Sequence, residues 1–350
     1  MELSSKERIK VIFFNARDYD IDSFNDVNIN SEFEIKYIEE GLNEDTVCLA
    51  EGFDVVCIFV NDIVDEQIIS SLEKYGIKLL ALRCAGYNNV DIKKTYGKIH
   101  VANVPAYSPY SVAEYAMALL LTSIRRTHKA YNRTKDFNFN LNGLAGFELH
   151  GKTVGIIGTG RIGKVFAQIC EGFGMNVIAY DKYPTENAGI KYVTKNELIK
   201  TSDIISIHCP LTAQNYHMID ENAISRMKKG VVLINTSRGA LIDSEALIDG
   251  IKSRKIGAAC LDVYEEEANI FFHDFSGHIL DDDTITKLLA LPNIIITSHQ
   301  AFLTEEALSA IARTTLKNIK QFFEEGFCEN ELCDKWHPNR GCSVECKKCF

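Results

Sequence analysis

No stretch of this chain approaches the ~18 consecutive apolar residues that a membrane-spanning helix needs. The opening MELSSKERIKVIFF is charged and then strand-like, without the apolar core of a signal peptide. Internal repeats and low-complexity linkers are missing as well. So is any excess of positive charge. With 38 Lys and Arg against 48 Asp and Glu, the net charge is −10, which argues against a nucleic-acid binder or a protein of anionic membrane surfaces. An anionic substrate must then be gathered by local positive groups. The eleven cysteines do not read as a disulfide framework. Six of them (Cys48, Cys57, Cys84, Cys170, Cys209 and Cys260) are scattered through apolar segments, where a free thiol acts as a small hydrophobe. Together these absences lead us to expect a cytoplasmic, reducing location.

What is present suits a soluble protein of two ordinary domains: 350 residues, 46% hydrophobic and 25% charged. The first hundred residues alternate strand-like segments at 10–15, 33–38, 54–60, 78–83 and 100–103 with helical patterns such as 65–75. That alternation predicts an α/β fold with a parallel sheet. Ser108 is a candidate N-cap with Pro109 at the first helical position. The apolar run 111–124 that follows is expected to be buried between the domains. Residues 128–150 read as polar and less regular, suited to wrapping the outside or meeting a partner subunit. A second series of strands is expected at 190–193, 204–208, 231–235, 258–263 and 294–297, with helices near 195–201, 221–228 and 244–253. A final helix over 304–325 starts at a Thr-x-Glu-Glu pattern and is expected to return to the first domain.

The most informative stretch is TVGIIGTGRIGKVFAQICEGFGMNVIAYD, 153–181. A buried strand runs into Gly158-Thr-Gly160-Arg161-Ile162-Gly163, then a helix, then a second strand ending on Asp181. This is the layout of a dinucleotide site. Gly158 allows a tight turn, Gly160 lets the backbone approach a pyrophosphate, and Gly163 lets the helix pack close to the sheet. The helix N-terminus offers free N–H groups to the phosphates. Asp181 can accept from the adenine ribose hydroxyls and would repel a 2′-phosphate, so NAD is expected over NADP. Lys182 beside it softens that preference.

Three further segments sit where parallel strands are expected to end, the edge at which open α/β sheets bind ligands. They are Asn235-Thr236-Ser237-Arg238-Gly239, Tyr264-Glu265-Glu266-Glu267 and Ser298-His299-Gln300-Ala301-Phe302. An arginine fork suits a carboxylate and a carbonyl oxygen. A histidine can give and take a proton, and a carboxylate on its other nitrogen stabilises the charged ring.

With RCAGYNNVD at 83–91 and VPAYSP at 104–109, these motifs resemble the D-isomer-specific 2-hydroxyacid dehydrogenases, and within them the fermentative D-lactate dehydrogenases. The resemblance covers roughly residues 8–331. It implies two doubly wound parallel-sheet domains. A Rossmann NAD-binding domain (107–300) would be inserted in a discontinuous flavodoxin-like substrate domain (1–106 and 301–331). It implies reversible hydride transfer between NADH and pyruvate, with Arg238 binding substrate and His299, paired with Glu267, as acid and base. Glu267 rather than Glu265 or Glu266 matches the family's spacing from Arg238.

By the same resemblance, Ala85 and Gly86 offer backbone N–H groups to the substrate carboxylate, while Tyr107 and Phe302 face the substrate. Arg161 and Ile162 lie at the pyrophosphate, and Cys209, Pro210, Asn215, Thr236 and Ser237 line the cofactor. Asp262 binds the carboxamide. A homodimer is implied. A pocket narrowed by Tyr107 and Phe302, near Phe271 and Phe272, suits a methyl-sized side chain. Other readings are the same chemistry on a larger D-2-hydroxy acid, such as 2-hydroxyisocaproate or phenyllactate, or an NADH-sensing regulator. The chain runs past the family's usual end into a tail (332–350) with Cys333, His337, Cys342, Cys346 and Cys349, preceded by Cys328. Its C-x3-C-x2-C spacing suits an iron–sulfur or zinc site, disulfide chemistry, or no function at all, and no metal ligand is assigned.

Overall fold

The computed structural model describes residues 8–185, 189–332, 336–337 and 341–342. The chain divides into two compact units, one from both chain ends (up to Ser108 and from Thr304) and one spanning Pro109–Leu303.

The first unit carries strands β1 (Ile9–Phe13), β2 (Phe33–Tyr37), β3 (Val55–Ile58), β4 (Leu79–Leu82) and β5 (His100–Ala102). They pair in parallel in the order β2-β1-β3-β4-β5, a flavodoxin-like winding. β3 and β4, VVCI and LLAL, are buried at every position, as unbroken apolar runs require in a sheet covered on both faces. Helix Glu66–Lys74 starts where the Asp65 carboxylate accepts from the N–H groups of Gln67 and Ile68. Helix Glu305–Glu325 is capped by Thr304, which accepts from the N–H of Ala307, and ends on Gly326 at φ 79°. It packs on helix Asp18–Val27 and on β4, so the C-terminal segment belongs to this unit. A short strand, Glu331–Leu332, then adds antiparallel beside β5.

The second unit carries β6 (Thr153–Ile157), β7 (Asn176–Tyr180), β8 (Lys191–Tyr192), β9 (Ile204–Ile207), β10 (Val231–Asn235), β11 (Ile256–Leu261) and β12 (Ile294–Ile296). All run parallel in the order β8-β7-β6-β9-β10-β11-β12. This is a Rossmann sheet, whose order reverses between β6 and β9 and opens a crevice beyond their carboxyl ends. The switch therefore lies directly at the glycine loop that follows β6.

Three features differ from the sequence expectation. The apolar helix Pro109–Arg125 is buried within the second unit's own core, where Ala113, Ala116, Met117, Leu120 and Ile124 pack with Val154, Phe166 and Ile234. Small residues on its inner face allow it to lie close on helix Arg161–Gly172. Residues 127–135, expected to be irregular, form a helix, Thr127–Lys135, none of whose residues is buried. The strand Glu331–Leu332 lacks the length and apolar run that would mark it in a sequence. In the tail, Trp336–His337 pairs antiparallel with Gly341–Cys342. The ligand-spacing question for the tail cysteines lies outside the described residues.

Candidate active site

The carboxyl ends of β10, β11 and β12 are neighbours in the second sheet, each ~4.8 Å from the next. Arg238 follows β10, Glu267 follows β11 and His299 follows β12. His299 Nδ1 lies 2.8 Å from Glu267 Oε1, and the two side chains are only 14% and 20% exposed. Glu267 Oε2 accepts from the Tyr264 N–H at 2.9 Å, so both its oxygens are directed. With Nδ1 facing a carboxylate, Nε2 is the nitrogen left to exchange a proton. It makes no hydrogen bond among the described residues.

His299 is held by its backbone too, in a left-handed conformation (φ 51°), with its N–H donating to Asp262 O at 2.8 Å. The Asp262 carboxylate is fully buried. It accepts from Thr297 Oγ1 at 2.6 Å and from the N–H groups of Gln300 and Ala301 at 2.9 and 2.8 Å. Burial pushes this carboxyl above its usual range, against those bonds. Asp262 thus buckles the end of β11 to the loop carrying His299. This structural job is not visible in the sequence, because residue type does not show which way a side chain points.

Arg238 has no carboxylate within 4.0 Å among the described residues; its Nη1 donates to Ser237 O at 2.6 Å. The turn beneath it is tied by Asn235 Nδ2, which donates to Arg238 O, and by Ser237 Oγ, which donates to Ile207 O, both at 2.8 Å. A Cβ on Gly239 would come within 2.1 Å of the Tyr264 backbone. The glycine is therefore what lets the loops after β10 and β11 touch. Of the other acids, Glu266 is exposed and Glu265 pairs with a different histidine, His217, at 2.6 Å. Phe272 stands near the His299 ring, centroid to centroid 6.4 Å, and Phe271 and Phe302 are buried in the same unit.

At the β6–β9 switch, Gly158 sits at φ 95°, and a Cβ there would strike His208 O. A Cβ on Gly163 would strike Gly158 O at 2.0 Å, whereas Gly160 faces open space. Gly160 also begins helix Arg161–Gly172 with no side-chain cap, so Arg161, Ile162 and Gly163 present uncapped N–H groups. On the loop after β10, Thr236 Oγ1 is buried without a hydrogen-bond partner among the described residues.

Asp181 Oδ2 accepts from Thr159 N–H and Oγ1, and Oδ1 from Tyr183 N–H. This leaves a partly exposed carboxylate with a free acceptor site at the strand end. Lys182 lies over the Tyr183 ring at 5.4 Å. Asn215 clasps the turn after β9, donating to Pro210 O at 2.8 Å and reaching Cys209 Sγ at 3.7 Å. Burial pushes the Cys209 thiol up to about 11, which disfavours the thiolate a nucleophile needs. An uncapped helix end, open space at Gly160 and an orphaned hydroxyl fit a dinucleotide.

In the first unit, β4 leads into Arg83-Cys84-Ala85-Gly86. The carbonyls of this turn are engaged, Ala85 O by Asn103 Nδ2 at 2.8 Å and Gly86 O by Cys84 Sγ at 3.2 Å. The N–H groups of Ala85 and Gly86 donate to nothing among the described residues. Tyr107 is half-buried farther along.

Fold and site together define a nicotinamide-dependent oxidoreductase. Residues 117–301 match the model of the D-isomer-specific 2-hydroxyacid dehydrogenase NAD-binding domain. The chain is 49% identical over 319 residues to 2-hydroxyacid dehydrogenase homolog 1 of Schizosaccharomyces pombe, covering 90% of this chain and 96% of that one. It is 46% identical over 329 residues to the D-lactate dehydrogenase of Escherichia coli, covering 93% and 100%. The ligand-free structure of the Escherichia coli enzyme superposes with a TM-score of 0.84, at 44% identity and the same coverage. A structure of D-2-hydroxyisocaproate dehydrogenase gives 0.81 at 33% identity, covering 93% and 99%. The chain belongs to the D-isomer-specific 2-hydroxyacid dehydrogenase family. It is an NAD-dependent enzyme, and its second unit is the NAD-binding domain.

Proposed function

We infer that this protein is a D-lactate dehydrogenase, interconverting pyruvate and D-lactate. The observation that carries this reading is the His299–Glu267 pair at 2.8 Å, on the strand edge that also presents Arg238; among the described residues one ring nitrogen is left open and Arg238 has no carboxylate partner. NADH, when bound, supplies the hydride to the carbonyl carbon. His299 Nε2 gives the carbonyl oxygen its proton, and takes it back in the oxidation direction. Glu267 fixes the ring's orientation and stabilises the imidazolium. Arg238 holds the carboxylate and polarises the carbonyl with its planar fork. In the first unit, we assign the two open N–H groups of Ala85 and Gly86 to binding a substrate carboxylate. Phe302 and Tyr107 limit the size of the substrate side chain. Gly158, Gly160, Arg161, Ile162 and Gly163 cradle the pyrophosphate, and Asp181 takes the ribose. Cys209, Pro210, Asn215, Thr236 and Ser237 line the rest of the cofactor.

We assign the homodimer contact to residues 127–147. The exposed apolar side chains cluster there: Phe137, Phe139 and Leu141 are 86%, 72% and 78% exposed, and Tyr131 is 60% exposed. Such a patch on one segment marks a protein contact. A cytoplasmic location suits the free thiols. No helix among the described residues is long and apolar enough to cross a membrane.

A screen of 2-oxo acids against NADH and NADPH, with product chirality determined, tests the reading. Preference for pyruvate and NADH with D-lactate as product is expected. One methylene changes such selectivity by ~1–3 kcal/mol, so 2-oxobutyrate should follow within ~200-fold. Preference for a branched or aromatic acid would move the substrate, and NADH binding without turnover of any 2-oxo acid would replace the enzyme with a sensor.

A further inference from the structure

Open parallel sheets bind ligands where the strand order reverses. In the second unit that point carries the glycine loop. In the first unit, between β1 and β3, it is filled by the side chain of Arg83, which is 2% exposed. Its guanidinium carbon lies 4.3 Å from the Phe13 ring centre and 4.8 Å from that of Phe59, flanked by aromatic side chains from β1 and from just beyond β3. Nη2 donates to Asn15 O at 2.8 Å, and Nε stands 3.4 Å from Asp20 Oδ1 on helix Asp18–Val27. A second buried carboxylate, Asp62, closes the arrangement. It accepts from the N–H groups of Phe59 and Leu42 at 2.7 and 2.8 Å and from Asn15 Nδ2 at 3.2 Å. One side chain thus ties the ends of β1, β3 and β4 to the following helix.

A buried ion pair of this kind is a weak source of stability, and apolar residues of similar volume often replace one without loss. What the arginine adds is a rigid plate of fixed orientation, next in the chain to Cys84-Ala85-Gly86. We propose that Arg83 is a positioning residue for the substrate carboxylate: its anchored guanidinium holds the 84–86 turn so that the N–H groups of Ala85 and Gly86 stay aimed at the ligand. This rests on the assignment of those two N–H groups to the carboxylate. Asn103 anchors the turn from the other side. Its Nδ2 holds Ala85 O, and its own carbonyl accepts from Asn318 Nδ2 at 2.9 Å on the terminal helix.

The test is a split between KM and kcat in the full-length enzyme with NADH. Arg83→Met should raise the pyruvate KM at least tenfold, with kcat within threefold and the NADH Kd within twofold of wild type. Arg83→Lys keeps the charge beside Asp20 but loses the flat plate, so it should fold and show an intermediate rise. A wild-type pyruvate KM in either folded variant overturns the proposal. Gly86→Pro deletes one of the two donors without touching Arg83. A raised KM there, with unmoved KM in the Arg83 variants, sinks the positioning role alone. An unmoved KM in Gly86→Pro sinks the carboxylate assignment and the proposal with it.

Discussion

Two histidine–glutamate pairs hang on the same four residues, Tyr264–Glu267, and they are chemically alike until the second nitrogen of each ring is considered. His299 faces Glu267 at 2.8 Å and His217 faces Glu265 at 2.6 Å, and both histidines adopt a left-handed backbone. Nε2 of His299 is unengaged among the described residues. For His217, Nε2 is taken by Glu265 and Nδ1 looks at Asp243 Oδ2 at 3.8 Å. Its ring is also stacked under Tyr216, centroids 4.0 Å apart. A carboxylate partner orients an imidazole, but only an imidazole with a nitrogen to spare can pass a proton to a substrate. We assign chemistry to the first pair and the holding of a loop to the second.

That contrast can be broken by exchanging the losses. Glu267→Gln should lower kcat by about 10–100-fold, about 1.4–2.7 kcal/mol of barrier, because the ring loses the charge that stabilises its protonated form. An effect under threefold would mean that His299 needs no partner. His217→Gln should leave kcat within about threefold and lower the melting temperature by about 1–2 °C, as expected for about 1 kcal/mol in a protein of this size. A kcat loss comparable to that of Glu267→Gln would erase the distinction between the pairs.

A third histidine sharpens the point, having no carboxylate partner among the described residues. His208 packs on Phe166, with Nε2 2.8 Å from Ser206 Oγ, and burial pushes it down to about 3. The unfolded chain takes up this proton near pH 6.5, and the folded chain does so only near 3. The neutral ring therefore contributes stability above pH 6.5 that is lost as pH falls toward 3. His208→Gln should show a shallower loss of melting temperature between pH 6.5 and 4.5 than wild type. Parallel curves would show that the buried ring does not titrate as described.

The legible parts of this molecule were those written as runs and spacings. Continuous apolar strands such as VVCI and LLAL, the glycines at 158, 160 and 163, and Pro109 at the head of an apolar helix are one-dimensional signals, and the structure has elements at each. Arg238, Glu267 and His299 stood out as residue types at expected strand ends. Direction was not legible. Asp262 reads as a ligand-facing acid, and the sequence gives no sign that its carboxylate also locks the His299 loop. Arg83 closes the strand expected at 78–83, and nothing in the sequence shows that its side chain folds back between two rings. The helix Asp18–Val27, DYDIDSFNDV, has too polar a pattern to announce itself and is held by packing on the terminal helix, a contact between residues nearly three hundred positions apart. The apolar helix Pro109–Arg125 signals burial but not which neighbours cover it.

The central claim is that His299 is the proton donor in the chemical step. Its most direct test is a single-turnover measurement of NADH oxidation by pyruvate in His299→Gln, with the NADH Kd measured on the same preparation. A rate lowered by ~10²–10⁴-fold is expected, with Kd within twofold of wild type. A rate within a few-fold of wild type would contradict the claim and move the acid elsewhere.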